Sequence, residues 1–152
     1  MPALGVVVVE DESSLRELIS LTLQRAGDFS VDTPDVRDWA EVVASAQPQV
    51  LLLDLLLEGR DALEDLPRVL LDSPRTMVAV LTGLSAEEAE PGALAAGAFV
   101  FYEKSMIAEL PAMIAQDHEL FQRALDGEDV VAPSALVRRP PPSAHGQTFA
   151  TR

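Results

Sequence analysis

Cysteine is missing from all 152 residues, which excludes disulfides, zinc–thiolate centres and thiol nucleophiles together. Histidine is scarce: His118 and His145 are the only two, too few to build a metal site by themselves. No apolar run approaches the roughly 18 residues of a membrane span. No basic n-region of a signal peptide stands at the N-terminus, so the expectation is a soluble, cytoplasmic chain without a membrane partner. Positive charge is also short, with 11 Lys and Arg against 25 Asp and Glu and a net charge of −14. Acidic and basic residues cancel over 126–152, so the whole excess lies in residues 1–125. Such a surface repels phosphate backbones, and nucleic acid is not an expected partner. Most of these carboxylates read as solvated surface, and only those that converge call for an explanation.

What the chain does have is a regular alternation. LGVVVV at 4–9 is a short β-branched run; Ser14 to Glu17 has the form of a capping box before the apolar residues Leu15, Leu18, Ile19 and Leu21; Gly27 ends that helix. A weak strand at 29–33 follows, then a helix carrying Trp39, Val42, Val43 and Ala46 and stopped by Pro48. Val50 to Leu53 is a third strand, 62–71 a helix with Pro67 inside it, 76–81 a fourth strand, 85–96 a helix weakened by Pro91-Gly92, and 98–102 a fifth strand. A last helix carries Leu110, Met113, Ile114, Leu120, Phe121, Ala124 and Leu125. Uninterrupted apolar strands alternating with helices predict an α/β, doubly wound parallel sheet covered on both faces. Its ligands bind outside the carboxyl ends of the strands. At those ends stand Glu10 and Asp11, Asp54, Thr82 and Lys104. Asp54 sits among seven Val and Leu residues, and its position at a strand end spares it full desolvation. Carboxylates converging with only oxygen ligands call for a hard cation, and Mg²⁺ is the natural choice.

These pieces resemble the receiver domain of bacterial two-component response regulators. VVVVED at 6–11, LLLDLLLEGRDALE at 51–64, VLTG at 80–83 and AGAFVFYEKS at 96–105 stand in the order and spacing of that family. The resemblance implies a flavodoxin-like sheet of order 2-1-3-4-5. It implies that Asp54 accepts a phosphoryl group from a sensor histidine kinase or phosphotransfer protein, and that Glu10, Asp11, Asp54 and the Leu56 carbonyl hold Mg²⁺. Thr82 and Lys104 would contact the phosphoryl oxygens, and Thr82 and Phe101 would form the switch toward an output partner of unknown identity. It also implies a phosphoacceptor and not a turnover enzyme. Departures from the pattern are Glu10 for an aspartate, Glu58 for proline, Ala62 for glycine and Ser105 for the proline that would favour a cis peptide after Lys104.

Plainer roles exist for each residue taken singly. Glu10 and Asp11 can complement a helix N-terminus, Thr82 can end a strand, Lys104 can be solvated, and Phe101 is a core aromatic either way. His118 reads as part of a solvated helix face, and the apolar stripe at 110–125 as core or as a dimer contact. Two other functional classes compete: a Mg²⁺-dependent phosphohydrolase of the haloacid dehalogenase type, which wants an aspartate where Leu56 stands, and a degenerate receiver acting as a binding module. The division expected is a receiver over 1–125 and a linker or tail over 126–152. GEDVVAPSALVRR at 127–139 is similar to the linker of LuxR/NarL-type regulators, here expected without the DNA-binding domain. A short helix over 133–139 and a homodimer built on the last helix complete the expectations.

Overall fold

The computed structural model describes residues 3–57, 60–83 and 97–130. Five strands form one parallel sheet: β1 (Leu4–Val9), β2 (Phe29–Asp32), β3 (Val50–Leu53), β4 (Met77–Thr82) and β5 (Val100–Glu103). Their order is β2-β1-β3-β4-β5, the expected 2-1-3-4-5. The helices are α1 (Ser13–Ala26), α2 (Trp39–Ala46), α3 (Leu66–Asp72) and α4 (Leu110–Leu125). A two-residue antiparallel ladder, Leu56–Leu57 with Arg60–Asp61, follows β3. The expected helix at 85–96 with Pro91-Gly92, Glu58, and the tail with its short helix at 133–139 lie outside the described residues.

Strand alternation divides the apolar side chains between two faces. Val6 and Val8, Leu52, Ala79, Leu81 and Tyr102 share one cluster with Ile19 and Leu23 of α1 and Ile114 and Phe121 of α4. Val7 and Val9, Leu51, Leu53, Val78, Val80 and Phe101 share the other with Trp39, Val43, Leu66 and Val69. Each fully buried Val or Leu contributes about 1.5–3 kcal/mol. Burial on both faces is why these strands read as continuous apolar runs rather than as alternating ones. Val130, 5% exposed, joins the first cluster, so the packed unit continues past α4.

Local details correct several expectations. Ser14 does not open a capping box: the cap stands two residues earlier, where the Glu12 carboxylate accepts from the N–H groups of Ser14 and Leu15. Gly27 closes α1 at φ 86°, in the left-handed region where glycine carries no Cβ penalty. Pro67 does not interrupt its helix, which begins at Leu66 and not at Ala62. It stands in the first turn of α3, where its missing N–H costs nothing, after a 3-10 turn at Ala62–Glu64.

The solvated reading of His118 is overturned. His118 is 8% and Asp117 4% exposed, because both stand on the stripe of α4 that includes Leu110, Ile114, Phe121 and Leu125 and faces the sheet. Met113 and Leu120 pack, partly buried, against the same cluster. The apolar groups of α4 are therefore on the domain's own side, which removes the premise from which the helix was expected to dimerise. No helix among the described residues is long and apolar enough to cross a membrane.

Candidate functional site at the carboxyl rim of the sheet

Three strand ends bring the site together. β1 stops at Val9 and delivers Glu10 and Asp11; β3 stops at Leu53 and delivers Asp54; β5 stops at Glu103 and delivers Lys104. The Asp54 N–H donates to the Val9 carbonyl at 3.0 Å, one further rung after the Val9–Leu53 pairing. That rung seats Asp54 beside the acidic pair. Thr82, the last residue of β4, pairs in register with Glu103, so its backbone reaches the same rim. Phe101 is 2% exposed and lies in the cluster on the α2–α3 face, opposite Val80 in register.

One carboxylate oxygen from each of Glu10, Asp11 and Asp54 falls within 4.8 Å of the others. Glu10 is 2% and Asp54 5% exposed, and carboxylates this close and this buried need countercharge. Lys104, the chain's only lysine, supplies it: Nζ stands 2.8 Å from Glu10 Oε1 and 3.1 Å from Asp54 Oδ2. The two contacts differ in kind. The ammonium donates a well-aligned hydrogen bond to Asp54 Oδ2, whereas its contact with Glu10 Oε1 is shorter but less well aligned.

The electrostatics follow from that arrangement. Burial pushes the Glu10 carboxyl above its ordinary value; pairing with Lys104 and the Glu12 N–H pull it back, the Asp54 charge pushes it up again, and the net direction is upward. For Lys104, burial pulls the ammonium down, but its contacts with Glu10 and Asp54 outweigh burial and hold its pKa above the usual lysine value. The pocket thus contains hard oxygen donors, one of them buried without a directed hydrogen bond, which fits a small divalent cation such as Mg²⁺.

The solvated reading of Lys104 does not hold, since its side chain is 25% exposed and doubly paired. Sequence reasoning missed two supports of the acidic pair. Arg16 Nη1 donates to the Glu10 carbonyl at 3.0 Å, and the Glu12 N–H donates to Glu10 Oε2 at 3.1 Å. The sequence signal for the first was an arginine in the opening turn of the helix that follows β1. No cis peptide occurs among the described residues, Lys104–Ser105 included.

A family model described as the response regulator receiver domain matches residues 6–115. Among solved structures, the signal receiver domain of the response regulator NarL from Mycobacterium tuberculosis is similar at 23% identity. That alignment covers 78% of this chain and 98% of the other with a TM-score of 0.70. The chemotaxis protein CheY4 from Vibrio cholerae matches at 26% identity over 75% of this chain and 97% of its own, with a TM-score of 0.66. The signal receiver domain of a Luxo repressor protein from Vibrio parahaemolyticus matches at 21% identity over 84% and 99%, with a TM-score of 0.71.

Proposed function

The chain belongs to the response regulator receiver domain family, and from that premise we propose that Asp54 is its phosphoacceptor, served by Glu10, Asp11, Thr82 and Lys104. Receiver domains are signalling modules of two-component systems that take phosphoryl groups from histidine kinases or phosphotransfer proteins. The observation that carries the assignment is the convergence of Asp54 with two further carboxylates and one ammonium at a single rim.

A carboxylate at neutral pH is already a nucleophile and needs no base. An oxygen of Asp54 attacks phosphorus in line, the P–N bond of a donor phosphohistidine breaks, and the imidazole leaves with its electron pair. The product is an aspartyl phosphate. Lys104, now paired with Asp54 Oδ2, follows the negative charge onto the phosphoryl oxygens. Glu10, Asp11, Asp54 and, by family resemblance, the Leu56 carbonyl would hold a Mg²⁺ ion, which would supply the remaining positive charge to those oxygens. Thr82 is proposed to close on the phosphoryl group, with Phe101 repacking as the readout surface changes.

The phosphohydrolase alternative lacks the second aspartate, with Leu56 in that place, and its acidic pair would follow the nucleophile instead of preceding it. We place the protein in the cytoplasm, with a sensor kinase or phosphotransfer protein as donor, residues 1–125 as the receiver and 126–152 as linker or tail. Incubation with acetyl phosphate and Mg²⁺, read by intact mass, tests the acceptor. One phosphoryl group is expected on the native chain and none on Asp54→Asn; equal labelling of the variant would remove Asp54 from the role.

A further inference from the structure

Asp11 stands between two residues that one arginine holds. Arg16, in the opening turn of α1, donates from Nη1 to the Glu10 carbonyl at 3.0 Å and from its backbone N–H to the Glu12 carbonyl at 2.9 Å. The Glu12 N–H donates in turn to Glu10 Oε2 at 3.1 Å, and the Glu12 carboxylate caps α1 through the N–H groups of Ser14 and Leu15. Both peptide groups that flank Asp11 are therefore pinned, one by its oxygen to Arg16 and the other by its N–H to Glu10. Fixing two rigid peptide planes fixes the φ and ψ of the residue between them. The charge of Arg16 works the other way. Its side chain is partly buried beside the acidic cluster, and by Coulomb's law it opposes a divalent ion held there. What Arg16 offers such an ion is geometry.

We propose that Arg16 is a positioning residue for the cation site, fixing the backbone of Asp11 so that its carboxylate meets a small ion in one geometry and the site favours Mg²⁺ over Ca²⁺. This rests on the assignment of Glu10, Asp11 and Asp54 as the cation site. Mg²⁺ demands near-ideal octahedral ligands at short distances, whereas Ca²⁺ accepts longer bonds and irregular angles. A fixed ligand backbone thus matters more to the smaller ion. Groups that orient ligands without touching the metal change its affinity by about tenfold or more when lost.

Calorimetric titration of the native chain, Arg16→Met and Arg16→Lys with Mg²⁺ and, separately, with Ca²⁺ tests the role, after thermal unfolding without metal has shown which variants are folded. Arg16→Met keeps the length and helix propensity of the side chain and deletes its donors and charge. Mg²⁺ binding is expected to weaken by about three- to tenfold and Ca²⁺ binding by a smaller factor. Loss of the charge alone predicts tighter binding, shifted equally for both ions. Arg16→Lys retains the charge and a donor and is expected to lie between the two. Should Arg16→Met fail to fold, Arg16→Lys against the native chain decides: a reduced preference for Mg²⁺ over Ca²⁺ is expected, and an unchanged one overturns the proposal. Unchanged or tighter Mg²⁺ binding by folded Arg16→Met, or equal weakening of both ions, overturns the positioning role and leaves the metal assignment standing. No binding of either ion by the native chain at millimolar concentrations overturns both.

Discussion

The Tyr102 hydroxyl donates a 2.6 Å hydrogen bond to Asp117 Oδ2 inside the interface between β5 and α4. Both residues are buried, Tyr102 at 3% and Asp117 at 4% exposure. The bond ties the strand that carries Phe101 and Lys104 to the last helix. Tyr102→Phe keeps the ring and withdraws the donor from a buried carboxylate, and is expected to cost about 1–3 kcal/mol. A urea or thermal unfolding curve checks this, and a variant as stable as the native chain would show that the bond contributes nothing net.

His118, one residue on, gives the protein a pH dependence with a definite sign. Burial lowers its pKa below the ordinary value, and Nε2 lies 3.2 Å from Gln122 Nε2. With the amide as donor, the ring is neutral and carries its proton on Nδ1. The unfolded chain binds that proton at a higher pH than the folded one does. Stability is therefore fully present above the unfolded pKa, about 6.5, and falls as pH drops from there to the folded value. His118→Gln is expected to flatten that part of a stability-against-pH curve, and an unchanged slope would remove His118 as its source.

The two acidic residues after β1 are expected to differ in weight. We take Asp11 to ligate the ion directly and Glu10 to reach it through a water, so Asp11→Ala should weaken Mg²⁺ binding by about tenfold or more. Glu10→Ala should cost much less, because it removes the hold on Lys104 together with a water-mediated ligand. Calorimetric or NMR titration separates the two, and equal losses would refute the division of roles.

The sheet and the rim were readable in the sequence because both depend on local signals. Val50 to Leu53 is apolar at each position since both faces of β3 are covered; Glu10 and Asp54 follow such a run directly, and Asp11 and Lys104 each stand one residue further on. Asp117, His118 and Glu12 were not readable, for different reasons. Asp117 and His118 satisfy the inward period of α4 with Leu110, Ile114 and Phe121, but polarity argued for solvent; the Tyr102 hydroxyl across the interface gives the buried carboxylate a donor there. Glu12 displaced Ser14 as the cap because side-chain acceptors stand in succession at Glu12, Ser13 and Ser14, and the strand-to-helix turn decided among them. The Glu10–Lys104 contact spans 94 positions and depends on the packing of β5 relative to β1, with β3 and β4 between them.

Mapping the phosphoryl group tests the central claim most directly. After acetyl phosphate and Mg²⁺, borohydride reduces an aspartyl phosphate to homoserine, which peptide mass spectrometry locates. The account predicts homoserine at position 54 and nowhere else. Homoserine at another aspartate, or a phosphoryl group that survives borohydride on a hydroxyl or imidazole, would contradict it.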